Sequence, residues 1–161
     1  MHCDGDPSGD DEKWAAWSVW RKHGLFLYGP YGSGKTGLMV SIIREYSIDQ
    51  EWCLFLRVPE LLDAIRASYD KGSETTEAEI LKTAKTFPVL ALDDLGAERP
   101  TDWVKEKLFD VINYRHDELL DTLFTSNLSL DELAQHIGER TVWRIQEMCH
   151  VVHVNGPNLR V

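Results

Sequence analysis

Eight residues, Gly29-Pro-Tyr-Gly-Ser-Gly-Lys-Thr36, constrain this chain more than any other stretch. Before them runs Gly24-Leu-Phe-Leu-Tyr28, short and apolar, with the character of a strand. After them, Gly37 to Tyr46 reads as a helix, with Leu38, Ile42 and Ile43 expected on its inner face. A strand that passes through a glycine-rich turn into a helix gathers backbone amides and a helix N-terminus in one concavity. Such a concavity suits anionic oxygens. Gly29, Gly34, Lys35 and Thr36 complete the pattern G-x-x-x-x-G-K-T, and Gly32 adds freedom within it. In that pattern the lysine reaches terminal phosphates and the threonine hydroxyl ligates magnesium. Gly29, Pro30, Tyr31, Gly32, Ser33, Gly34, Lys35 and Thr36, with Gly37 behind them, are therefore the candidate nucleotide-binding residues. ATP and Mg2+ are the expected cofactors. A dinucleotide G-x-G-x-x-G site competes poorly: Gly32 and Gly34 fit its first half, but Lys35 and Thr36 point to a terminal phosphate and a metal.

The rest of the chain alternates apolar strands with helices. Trp52 to Val58, Pro88 to Leu92, Thr122 to Thr125 and Val151 to Val154 read as further strands. Helices are expected from Pro59 to about Tyr69, over Thr75 to Phe87, over Thr101 to Asp117, over Leu130 to His136 behind a Ser129 cap, and within Ile137 to Met148. Val104, Leu108, Val111 and Ile112 form the apolar stripe of the third of these. Lys13 to Lys22 is a further expected helix, whose Trp14, Trp17 and Trp20 suit either core packing across a sheet or a partner surface. This alternation predicts an α/β layer fold with ligands at the strand C-termini.

Asp93 and Asp94 close the strand Val89-Leu-Ala-Leu92 in the manner of a Walker B segment. Asp93 is the expected magnesium holder, and Asp94 is expected to orient or activate the attacking water. Asn127 ends Leu123-Phe-Thr-Ser-Asn127; its amide suits water positioning, contact with the γ-phosphate, or capping and stabilising the turn before Ser129. Arg140 and Arg144 lie four apart on one helical face, suited to phosphate contact in the same chain, to a neighbouring site as an arginine finger, or to surface pairing with Glu139.

Taken together, these landmarks resemble the ATPase domain of the DnaC/IstB-like AAA+ family, bacterial helicase loaders and transposition ATPases. The resemblance spans roughly Trp14 to Val161. It rests on Leu27 to Thr36, Val89 to Glu98, Thr125-Ser-Asn-Leu128, Gly138-Glu-Arg-Thr-Val-Trp-Arg144 and Gly156-Pro-Asn-Leu-Arg160. It implies a P-loop NTPase three-layer sandwich of AAA+ type, with a five-stranded parallel sheet in the order 5-1-4-3-2. It further implies ATP binding, slow hydrolysis, nucleotide-dependent self-assembly, and a replicative helicase or a transposase as partner. By the same resemblance Lys35 and Thr36 are the Walker A pair and Asp93 and Asp94 the Walker B acids. Asn127 is then the sensor-1 residue, Arg144 the finger acting in trans, Arg140 its companion and Arg160 a sensor-2-like arginine. Gly37 departs from the bulkier residue that often follows the Walker A threonine, and should weaken the helix locally. Residues 13–161 are expected to form the ATPase domain without a C-terminal helical lid. The acidic head is not expected to supply the partner-binding domain that usually precedes it in the family, as in an isolated ATPase domain, a truncated product or a minimal homologue.

Charge and composition narrow the function classes. Lys plus Arg number 17 against 27 for Asp plus Glu, a net charge of −10. Half of that lies in residues 1–12, expected to be an acidic, flexible head. This balance argues against a generally basic nucleic-acid coat but leaves room for a local basic groove. Arg57, Arg66, Tyr69 and Lys71 are the candidate single-stranded DNA patch, weak in a monomer and interrupted by Glu60, Asp63 and Asp70. Cys3, Cys53 and Cys149 are too scattered for a disulfide scaffold or a metal cluster, which favours a reducing, cytoplasmic setting. No apolar run reaches membrane-spanning length. The leading expectation is an ATP-hydrolysing module that controls assembly on DNA or a helicase. An IstB-like transposition ATPase, a nucleotide-gated interaction module with negligible turnover, and a small-molecule kinase are the alternatives.

Overall fold

The computed structural model describes residues 22–48, 52–70 and 72–156. The acidic head, the tryptophan-bearing segment with Trp14, Trp17 and Trp20, Lys71 and Arg160 lie outside the described residues. Five strands form one sheet: β1 (Gly24–Tyr28), β2 (Cys53–Arg57), β3 (Val89–Leu95), β4 (Asp121–Ser126) and β5 (Cys149–His153). All four neighbouring pairs are parallel, and the order is β2-β3-β4-β1-β5, the expected 5-1-4-3-2 read from the other edge. Six helices accompany them among the described residues: α1 (Lys35–Ile48), α2 (Val58–Ala67), α3 (Glu77–Thr86), α4 (Asp102–Asp117), α5 (Leu130–Ile137) and α6 (Glu139–Met148).

The two-residue period of the strands splits the core. Phe26, Leu90, Leu92 and Phe124 face one layer, built with Leu62 and Ile65 of α2, Leu108 and Ile112 of α4, and Ile145 of α6. Leu27, Val89, Ala91 and Leu123 face the other, where Met39, Ile42 and Ile43 of α1 cover them. The central strands are apolar on both faces because both are covered, as a parallel sheet requires. Helix α1 corrects one expectation. Its inward stripe is Met39, Ile42 and Ile43, whereas Leu38 is 43% exposed. At 100° per residue, a helix that centres Met39 on the sheet turns Leu38 aside.

Helix starts follow their capping chemistry. Thr76 with Glu79 and Ser129 with Glu132 form reciprocal capping boxes, and Thr101 caps α4. The expected α4 stripe, Val104, Leu108, Val111 and Ile112, is fully buried. Arg115, in the last turn of α4, is buried as completely as any core leucine. Its guanidinium donates to the carbonyls of Ala84, Lys85, Phe87, Pro88 and Asp121 and to Thr122 Oγ1. It thereby satisfies the open C-terminal carbonyls of α3 and ties them to the start of β4. Burial pulls its pKa down to about 10, partly offset by nearby Asp121.

Candidate functional site

The carboxyl ends of β1, β3 and β4 meet above the sheet, where a parallel fold leaves its crevice. The turn from β1 into α1 forms one wall of a cleft of about 180 Å³, lined by Tyr31, Gly32, Gly34, Lys35, Thr36, Gly37, Asp94 and Asn127. Gly29 enters this turn at φ 152°, and a Cβ there would overlap the Val154 carbonyl beyond β5. No larger residue fits that approach. Gly37 has open space around its Cα and continues α1 without interruption.

Lys35 is nearly buried, and its Nζ donates to the carbonyls of Gly29 and Pro30 at 2.8 Å each and to Asn127 Oδ1 at 2.9 Å. These three acceptors are neutral oxygens, and a charge-assisted contact to an anionic oxygen is stronger than one to a neutral carbonyl. Beside it, Thr36 Oγ1 donates to Asp93 Oδ1 at 2.9 Å, and Thr125 Oγ1 donates to the same oxygen at 2.6 Å. Asp93 is 1% exposed, with its other oxygen 3.9 Å from Arg57 Nε. A hydroxyl and a carboxylate converging in this way are hard oxygen donors, the set that suits Mg2+. Thr36 and Asp93 are the residues that fit that ion. Asp94 lines the open side of the cleft with a left-handed backbone at φ 59°, and its amide donates to Thr125 Oγ1 at 3.0 Å.

The remaining sequence candidates fall elsewhere. Arg144 Nε donates to Asn113 Oδ1 of α4 at 3.0 Å, and its NH1 donates to Glu147 at 3.3 Å. Arg140 lays its guanidinium over Phe109 at 4.8 Å. Neither lines the cleft of its own chain. Their partners come from the packing of α4 on α6 and from one turn ahead. Arg57 lies between Glu60 and Asp93, Arg66 pairs with Asp63 and stacks over Trp103, and the Tyr69 hydroxyl accepts from Trp103 Nε1. The described part of the basic patch is therefore locally compensated.

Two residues at or beyond the ends of β3 and β4 were not among the site candidates. Thr125, two positions before Asn127 at the end of β4, belongs to the Thr125-Ser-Asn-Leu128 phrase, but nothing in that phrase assigned its hydroxyl a partner. Glu98 folds back so that its carboxylate accepts from the Gly96 amide at 3.1 Å. Burial raises its pKa above the ordinary glutamate range, opposed by hydrogen bonds from its own amide and that of Gly96 and by His136.

Sheet order, the loop between β1 and α1, and the paired acids at the end of β3 define an AAA+ P-loop NTPase fold. The family model described as "IstB-like ATP binding protein" matches residues 15–161, and the chain belongs to that family, the DnaC/DnaI/IstB-like group of AAA+ ATPases. It is similar to the replicative helicase loader DnaI of Bacillus subtilis (strain 168), 35% identical over 150 residues, covering 85% of this chain and 47% of that protein. Among solved structures, a crystal structure of DnaI superposes with a TM-score of 0.73 at 31% identity, covering 99% of this chain and 88% of that one. The crystal structure of a DnaC helicase loader gives a TM-score of 0.74 at 28% identity, covering 96% and 94%. The chain spans about half the length of the curated relatives it matches. No helix among the described residues is long and apolar enough to cross a membrane.

Proposed function

We propose that this chain binds and hydrolyses ATP with Mg2+ and uses its nucleotide state to control assembly with a replicative helicase during DNA replication in the cytoplasm. The observation that carries this reading is the pair of contacts at the cleft: Lys35 on Asn127, and Thr36 on Asp93. The first puts a cation beside an amide at the mouth, and the second puts metal-type oxygen donors directly below.

Within this reading Lys35 exchanges the Gly29 and Pro30 carbonyls for phosphate oxygens, while the loop amides hold the chain of phosphates. Thr36 and Asp93 would hold magnesium, which would offset the charge that builds on the phosphates during transfer. Asp94 orients or activates the attacking water, and Asn127 fixes its placement near the terminal phosphate. Arg144 serves the cleft of a neighbouring copy, with Arg140 beside it on the same helix. Support for action in trans comes from its position away from its own cleft. An arginine supplied across an interface accelerates phosphoryl transfer by on the order of 10³–10⁵ in well-studied cases, so turnover would report assembly. Arg160 remains the proposed second phosphate sensor. Single-stranded DNA is a proposed ligand of the assembled form, where several weak patches add.

The test is magnesium-dependent ATP turnover across a protein-concentration series, with and without single-stranded DNA, beside Lys35→Ala and Arg144→Ala. Turnover per chain that climbs with concentration and collapses in both variants supports the reading. Nucleotide binding without turnover in every condition would replace it with a nucleotide-gated interaction module. The family's IstB-like description keeps transposition as the second reading, to be separated by which partner, helicase or transposase, co-purifies in an ATP-dependent way.

A further inference from the structure

Strand β3 carries one residue too many for its neighbour. Leu92 pairs with Phe124 and Leu95 with Ser126, so Asp93 and Asp94 together face the single residue Thr125. This is a β-bulge, a device that re-aims side chains beside functional sites. In an unbroken strand, adjacent side chains point to opposite faces of the sheet. Here Asp94 turns through φ 59° to line the cleft, while Asp93 meets Thr36 under the same cleft. The irregularity is what lets two consecutive acids serve one mouth.

A single side chain closes that bulge. Fully buried Thr125 gives its hydroxyl proton to Asp93 Oδ1 at 2.6 Å and accepts the Asp94 amide on the same oxygen at 3.0 Å. A hydroxyl can do both because it carries one donor and two lone pairs. Neither valine, which has the same shape, nor any other apolar residue can. If Thr36 is committed to the metal, Thr125 is the hydroxyl that still holds Asp93.

We infer that Thr125 is a positioning residue: its hydroxyl clasps the bulge and sets the placement of Asp93 and Asp94 relative to one another and to the metal–nucleotide complex. This rests on the proposed reading of the cleft as a magnesium–nucleotide site. The chemistry it serves is the difference between binding a bare nucleotide and binding its magnesium complex.

Three proteins test it: wild type, Thr125→Val and Thr125→Ser. A fluorescent ATP analogue is titrated into each, once with Mg2+ and once with EDTA. The valine variant should lose about tenfold in affinity with Mg2+, the scale of one hydrogen bond to a charged group, and little in EDTA. The serine variant should restore the wild-type metal dependence. A general packing defect would weaken both conditions and would not be rescued by serine. Hydrogen exchange of the Asp94 amide, read without nucleotide, should be slow in wild type and serine and fast in valine. Should valine fail to fold, Thr125→Ala is read in the same way. Wild-type magnesium dependence retained in the valine variant overturns the inference alone, as does an Asp94 amide that exchanges freely in wild type. A wild-type protein whose nucleotide affinity ignores Mg2+ overturns the reading of the cleft, and the inference with it.

Discussion

Lys35 and Asn127 meet end to end, Nζ to Oδ1 at 2.9 Å, across 92 positions of sequence. One comes from the helix that follows β1 and the other from the end of β4, and parallel pairing of those strands brings them together. The amide therefore reads the position of the cation that is proposed to carry the phosphates. Replacing it with a carboxylate should convert a neutral acceptor into a competing anion. Asn127→Asp is expected to weaken ATP binding by about tenfold or more, whereas Asn127→Ala should spare affinity and lower turnover. Equilibrium nucleotide titrations beside steady-state rates check both.

Asp94 occupies a left-handed backbone that asparagine tolerates well and β-branched residues do not. Asp94→Asn should fold with unchanged stability and bind ATP, yet turn it over far more slowly. Asp94→Val should lose roughly 1–3 kcal/mol of stability from backbone strain alone. Urea unfolding separates the two variants. Equal stability would remove the claim of strain.

Arg144 is tied to Asn113 and Glu147 and lies away from its own cleft. Mixing Lys35→Ala with Arg144→Ala should recover part of the ATPase activity that each lacks alone. Some interfaces then combine an intact cleft with an intact arginine. No recovery at any ratio, with both variants still assembling, would place the arginine's role elsewhere.

Arg115 is the largest charged group within the core, and six acceptors surround it. Arg115→Met matches its bulk but leaves buried carbonyls at the end of α3 without donors. A loss of about 3 kcal/mol or more is expected, read as a lower urea midpoint. Because the guanidinium lies outside the cleft lining, nucleotide affinity of the folded fraction should hold.

Glu98 gives the stability a pH signature. Burial raises its folded pKa above the unfolded value, so the folded state holds its proton more tightly. Its contribution is most favourable below the unfolded pKa. It declines as pH rises from there through the folded pKa, because ionising the buried carboxyl costs more in the folded state. Glu98→Gln retains an acceptor for the Gly96 amide and removes that ionisation. The variant should gain stability relative to wild type at neutral pH and lose the gain in acid. Unfolding curves at both pH values check the sign; the opposite order would show that the Gly96 hydrogen bond outweighs burial.

Element type was legible because it rests on near neighbours. The apolar runs became β1 to β5, the Ser129 cap sits where its residue type demands, and Gly29 to Thr36 bends between β1 and α1. Chemistry of the loop followed from residue type as well: glycines for approach, lysine for charge, threonine for a hydroxyl. Strand order came from resemblance to a family, since residue periodicity carries no lateral address. Leu38 and Met39 are both apolar, so the pattern alone does not choose between them; the sheet contact does, and it takes Met39.

By itself, then, the sequence determined an α/β chain with a phosphate-type loop and acids poised at a strand end. Tertiary structure alone decided that Thr125 opposes both Asp93 and Asp94, that Arg115 is buried among carbonyls, and that Arg144 rests on Asn113. Each of these depends on register or packing between segments far apart in the chain. One extra residue in a ladder leaves no trace in an apolar pattern, yet it turns a side chain to the other face of the sheet.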